Sequence, residues 1–155
     1  MTPTTLLAFL TAFALSLSNG KYIPKDRLDE NVRAVQTVVT EDGAIDFPGS
    51  TPAEDVTKTE ELMLVMANYE TAFDKSPVGD GGRSCGPMQT NPFYAHLTCD
   101  ELKGSYVVGY RAGLKMLKHH IEICRGIEKG LGRYATGTCG GAPKLVKFRL
   151  SLIGR

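Results

Sequence analysis

The chain has 155 residues, 42% of them hydrophobic and 23% charged, which is ordinary for a globular chain and gives room for one domain with a real core, not two. Its formal net charge of +1 points to no partner by itself. The distribution says more: seven Lys or Arg stand against fifteen Asp or Glu up to Leu102, and eleven against two from Lys103 onward. The basic C-terminal third suits an anionic polymer such as a cell wall, and would suit nucleic acid as well.

Residues 4–18 form an uncharged apolar run. It is too short for a comfortable membrane span and has the length of a signal-peptide core, with Ser16-Leu17-Ser18 as a small-x-small cleavage site. Residues 1–20 are therefore read as an export signal. Because no Lys or Arg precedes the run, an uncleaved membrane anchor and a buried N-terminal helix stay open as alternatives. Residues 21–50 read as an N-terminal extension. Leu28, Val32, Val35 and Val39 fit a helical stripe, while 35–40 and 44–47, separated by Glu41-Asp42-Gly43, fit a hairpin nearly as well; the helix is taken.

The main folded domain is expected over residues 51–155. Thr51-Pro52-Ala53-Glu54 combines an N-cap, a first-turn proline and a glutamate at the third helical position, so a helix should run from about Pro52 to Thr71. Along it Met63, Met66, Glu70 and Phe73 recur at three- and four-residue steps and share one face. A carboxyl group in that stripe, near a negative helix end, has its charged form disfavoured by lost hydration and by the dipole, and its pKa should rise. A general acid needs that property. Gly79-Asp80-Gly81-Gly82 follows, a loop able to bring backbone close to a ligand.

Farther on, Thr98 and Glu101 cap a short helical turn ended by Gly104. Val107, Tyr110, Leu114, Leu117, Ile121 and Cys124 mark a long amphipathic helix with Arg111, Lys115 and Lys118 outside. A shorter helix carries Ile127, Leu131 and Tyr134, weakened by Gly130 and Gly132. Pro143 opens a last one carrying Leu145, Phe148 and Leu152, stopping near Gly154. The fold class is mainly α, a single helical lobe with the Gly-rich loop or a small hairpin across its cleft.

Cys85, Cys99, Cys124 and Cys139 all lie downstream of the signal, and an even count in an exported chain favours two disulfides. Pairing Cys85 with Cys99 and Cys124 with Cys139 closes local loops of about fifteen residues, each worth on the order of 3 kcal/mol. No Cys-x-x-Cys exists to set zinc spacing, and His119-His120 cannot share one helix face, so no metal or other cofactor is expected and the histidines read as a solvated basic face. Gly81 to Gly86 has a phosphate-loop gap, yet Pro87 and Met88 stand where Lys and Ser or Thr are required.

Glu70, Gly79-Asp80-Gly81-Gly82 and Ser84-Cys85-Gly86-Pro87-Met88-Gln89 together resemble the lysozyme-like superfamily, in particular soluble lytic transglycosylases and goose-type lysozymes; the Ser-Cys-Gly-Pro-x-Gln run is also similar to invertebrate-type lysozymes. The resemblance implies a lysozyme-like fold and cleavage of peptidoglycan strands, with Glu70 as general acid and Asp80 as the second carboxylate if water is the nucleophile. It implies that Ser84, Gly86, Gln89, Asn91 and Tyr134 contact substrate. Asn91 stands where goose-type enzymes carry an aspartate, which weakens the hydrolytic reading, and Ala135 replaces an asparagine of the transglycosylases. Asp80 could equally just tie down its own turn. The expected protein is an exported, periplasmic or extracellular monomer acting on peptidoglycan, with transglycosylase preferred over lysozyme and a non-catalytic wall-binding module as a third reading. Nucleic acid is disfavoured as a partner because the signal and disulfides point outside the cytoplasm, and because no aromatic platform accompanies the Lys and Arg residues. A membrane is expected only through an uncleaved N-terminal segment.

Overall fold

The computed structural model describes residues 3–154. Met1 and Thr2, which begin the segment read as an export signal, and Arg155 at the end of the expected domain lie outside the described residues. Helices α1 (Pro3–Leu17), α2 (Lys25–Asp42) and α3 (Pro52–Thr71) come first. A hairpin of β1 (Val78–Gly79) and β2 (Ser84–Cys85) follows, then the short α4 (Pro92–Ala95) and α5 (Cys99–Gly104), and finally α6 (Tyr106–Cys124), α7 (Ile127–Thr136) and α8 (Pro143–Leu150). The strands are antiparallel, with Val78 opposite Cys85 and Gly79 opposite Ser84. The class is thus mainly α, as expected.

Local chemistry explains the helix starts. The Thr51 hydroxyl accepts from the Glu54 amide at 3.3 Å while the Glu54 carboxylate accepts from the Thr51 amide at 2.7 Å, a complete capping box ahead of Pro52. Thr98 and Glu101 repeat the arrangement at 3.2 and 2.7 Å before α5. The expected stripe of α6 is buried at Tyr110, Leu114 and Leu117. Gly130, which looked like a weakness in α7, has a steric reason: a Cβ there would stand 2.6 Å from the Ile121 Cα, so its absence lets α7 lie directly on α6.

Residues 21–50 supply α2, whose Val32, Val35, Val38 and Val39 join Met63, Met66 and Leu114 in one core. The hairpin alternative is thereby excluded. The amides of Ile45 and Phe47 do not pair with a strand; they donate to the Thr59 hydroxyl and the Asp55 carboxylate, both at 2.9 Å, on the side of α3. Arg111 ties α6 to the end of α2 through Glu41 and Asp42, and the Lys118 ammonium donates to the carbonyls of Asp42 and Gly43 at 2.9 and 2.7 Å. Helix α1, within the segment read as an export signal, buries Leu10 and Ala14 and packs on α2 and α3. Among the described residues no helix is long and apolar enough to cross a membrane. The sulfur pairs are Cys85 with Cys99 and Cys124 with Cys139, as expected, each with Cα atoms 5.5 Å apart.

Helix α3 also buries two adjacent acids. Glu61 accepts from the Gly154 amide at 2.6 Å, whereas Glu60 has a buried carboxyl oxygen with no hydrogen-bond partner. Burial, and secondarily the charge of Glu61, push the Glu60 pKa up to about 7 from 4.5. Burial also raises that of Glu61, against the opposing pull of the Gly154 amide and Lys58. Because the folded chain then holds a proton that the unfolded chain has released, stability is full at low pH and falls as pH rises through the window between 4.5 and about 7. Glu60→Gln should remove about 3 kcal/mol of that fall, leaving the slope due to Glu61. Urea unfolding at about pH 4.5 and about pH 8 checks this; an unchanged slope in the variant would contradict it.

Candidate functional site

The site begins where α3 ends. Ala72 and Phe73 both take left-handed backbone conformations, with φ of 51° and 62°, so the chain turns sharply one residue after Thr71. The Thr71 hydroxyl lies 3.0 Å from the carbonyl of Ala67 and 3.0 Å from that of Pro87, joining the helix end to the loop that follows the hairpin. Phe73 itself is buried, and its carbonyl accepts from the Asn31 amide group at 3.0 Å and the Tyr106 hydroxyl at 2.8 Å.

Glu70 sits two residues before this exit. Its side chain is 26% exposed and accepts a 2.7 Å hydrogen bond from Arg149, whose own side chain is 6% exposed. Beside the pair, Tyr69 and Phe148 meet edge to face with centroids 5.4 Å apart. The dry isolation expected of Glu70 is therefore not what surrounds it: a guanidinium from α8 does. Val146 and Arg149 are buried while Leu145 and Phe148 are exposed, because the helix turns Arg149 toward Glu70.

Each loop residue singled out from the sequence has an internal task. Asp80 accepts from the Ser84 hydroxyl at 2.7 Å across the hairpin turn, and its carbonyl accepts from Arg83 at 3.1 Å. The Gln89 amide donates to the carbonyls of Pro77 and Gly86, both at 3.1 Å. Gly86 has φ +76°, and a Cβ on it would lie 2.7 Å from the Leu102 carbonyl, so its close approach is to α5. Asn91 caps α4 through a 2.9 Å bond from the Phe93 amide. From α7 the Tyr134 hydroxyl donates to the Met88 carbonyl at 2.9 Å and lies 3.3 Å from the Thr90 hydroxyl. Burial first, and the charge of Glu70 after it, raise the Tyr134 pKa, with the Thr90 bond and Arg149 opposing. The phenol stays a neutral donor.

These residues converge on one groove of about 990 Å³. Asp80, Ser84, Gln89, Asn91 and Tyr134 line it, and Glu70 and Gly86 do not. Tyr134 is the link, since it lines the groove and lies close enough to Glu70 and Arg149 to feel both charges. Sequence reading missed the rest of the lining. Phe93 and Tyr94 of α4, 79% and 68% exposed, stand in the same groove as the Arg111, Lys115 and His119 face of α6. The expectation that no aromatic platform accompanies the basic residues is thus overturned: the two sets are far apart in sequence and are brought together by packing. The run Phe93-Tyr94 after a helix-capping Asn91-Pro92 was the available signal.

His120 also departs from the solvated face expected for it. It lines the groove, its ring lies 6.0 Å from that of Tyr134, and its Nδ1 is buried without a partner. Burial, then Arg133 and His119, lower its pKa. Among the described residues no cluster of His, Cys, Asp and Glu could hold a metal ion. The chain matches no protein-family model, and no curated protein or solved structure is significantly similar to it.

Gly86→Ala should cost about 1–3 kcal/mol, combining a strained φ with a contact against the α5 backbone. Thermal unfolding checks the loss; a variant as stable as the wild type would show that the loop can shift freely away from α5.

Proposed function

We propose that the protein is an exported enzyme that binds peptidoglycan glycan strands in this groove and cuts the β-1,4 bond between N-acetylmuramic acid and N-acetylglucosamine by lytic transglycosylase chemistry. One observation carries the reading: four residues of the motif loop and Tyr134, more than forty positions farther along the chain, line a single groove, and the charge of Glu70 reaches Tyr134. Exposed aromatic faces and convergent polar groups are what a groove for sugar rings requires. The two disulfides agree with a site outside the cytoplasm.

In this chemistry Glu70 gives a proton to the leaving O4 of N-acetylglucosamine. The muramyl C6 hydroxyl then attacks C1 and returns its proton to the Glu70 carboxylate, so a 1,6-anhydro ring forms and no water is consumed. Arg149 holds Glu70 through a 2.7 Å hydrogen bond, so this proton transfer requires the pair to separate. Asp80 favours this route over hydrolysis, because its carboxylate is engaged by Ser84 in the turn. A lysozyme-like fold fits the same reading.

A second reading, a glycan-binding module without catalysis, is favoured by the Glu70–Arg149 ion pair and by the absence of Glu70 from the groove lining. Digestion of purified cell wall followed by mass analysis separates the possibilities. Anhydro ends are expected from the wild type, with Glu70→Gln slower by about 10²–10⁴-fold. Reducing ends would indicate hydrolysis with Asp80, and binding without release would establish the module. A Glu70→Gln protein that digests as fast as the wild type would overturn the mechanism.

A further inference from the structure

Charge along the groove is distributed unevenly. Arg111, Lys115 and His119 repeat every fourth residue and so share one side of α6, and Arg133 of α7 lines the same groove. Among the described residues, Asp80 is the only acidic one in the lining. Arg111 is already spent on Glu41 and Asp42 of α2. Lys115 and Arg133 are not: among the described residues neither forms an ion pair. Lys115 is exposed and Arg133 half-buried, so the pair offers one mobile ammonium and one partly desolvated, planar guanidinium, the group suited to gripping a carboxylate with two bonds.

We propose that Lys115 and Arg133 form a carboxylate-binding subsite, so that the groove selects acidic glycan strands over neutral β-1,4 chains of the same length. Sugar rings pack on Phe93 and Tyr94, as any β-1,4 glycan could. The carboxylates carried on the strand supply what a neutral chain lacks. A nucleic acid fits less well, since it presents a phosphate at every unit, and two uncommitted cations in a groove that Asp80 also lines do not answer that density. This inference rests on the groove being a glycan site, and it concerns affinity, not cleavage.

The test measures binding by calorimetry with the non-cleaving Glu70→Gln protein. The probes are an N-acetylglucosamine hexamer, glycan strands bearing peptide stems, strands stripped of stems so that only the lactyl carboxyl remains, and a single-stranded oligonucleotide. Both acidic strands, or the stem-bearing one alone, should bind at least about fivefold more tightly than the neutral hexamer. Retained preference after stripping assigns the lactyl carboxyl as the ligand; lost preference assigns the stem carboxylates. Lys115→Gln and Arg133→Gln should each weaken acidic-strand binding by about fivefold more than hexamer binding, with Lys115→Arg restoring the preference. Circular dichroism confirms that the variants are folded. Equal affinity for neutral and acidic strands, an unaltered preference in the double variant, or tighter binding of the oligonucleotide would overturn the proposal. Because binding is read without turnover, a protein that fails to cut cell wall can still pass this test, and one that cuts can still fail it.

Discussion

The carbonyl oxygen of Phe73 accepts two buried hydrogen bonds, from Asn31 of α2 and Tyr106 of α6, and the path of the chain out of α3 depends on them. Two consecutive non-glycine residues with positive φ are costly, of order 1–3 kcal/mol each, and persist only where surrounding contacts over-determine them. Here Asn31 also donates to the Arg27 carbonyl at 2.7 Å and accepts from the Tyr110 hydroxyl. The network thus joins α2, α6 and the end of α3, with the Asn31 and Tyr110 side chains held away from solvent. A buried network of this kind is stabilising only when complete, because each unmatched member costs about 1–3 kcal/mol. It sets where α3 stops, one residue beyond Glu70, and sends the chain toward the hairpin.

From that exit the groove follows as a series of anchored steps. Thr71 holds Pro87, Gln89 holds Pro77 and Gly86, and Tyr134 holds Met88, so the loop is fastened from α3 and from α7. The disulfide from Cys85 to Cys99 closes the far side around α4. The same pattern governs charge. Much of the basic excess in the C-terminal third is used internally, Arg111 and Lys118 on the end of α2 and Arg149 on Glu70, while Lys115 and Arg133 are left facing the groove. Net charge alone gave no hint of that division.

Features encoded over three or four residues were legible in the sequence. The capping boxes at Thr51 and Thr98 and the apolar stripe of α6 depend only on local spacing, and both sulfur pairs close short loops. What escaped was non-local. Arg149 lies 79 positions from Glu70, and no local pattern marks an arginine that will turn inward, so the carboxyl group was expected to stand alone. Residues 44–47 alternate like a strand, yet their amides are claimed by Asp55 and Thr59 of α3. Phe93, Tyr94 and His120 read as unremarkable until packing placed them beside Lys115 and Tyr134. The loop residues were recognised as a group, but their hydrogen bonds to one another could not be read from spacing.

Whether this groove receives a glycan strand is best tested by following the backbone amides of ¹⁵N-labelled Glu70→Gln protein as soluble peptidoglycan strands are added. The shifted amides should cluster at Ser84, Gln89, Tyr94, Lys115 and Tyr134, which share the groove but are scattered along the chain. Saturable shifts confined to α1 and α2, or no shifts at concentrations that saturate a wall-binding protein, would contradict the assignment of this surface.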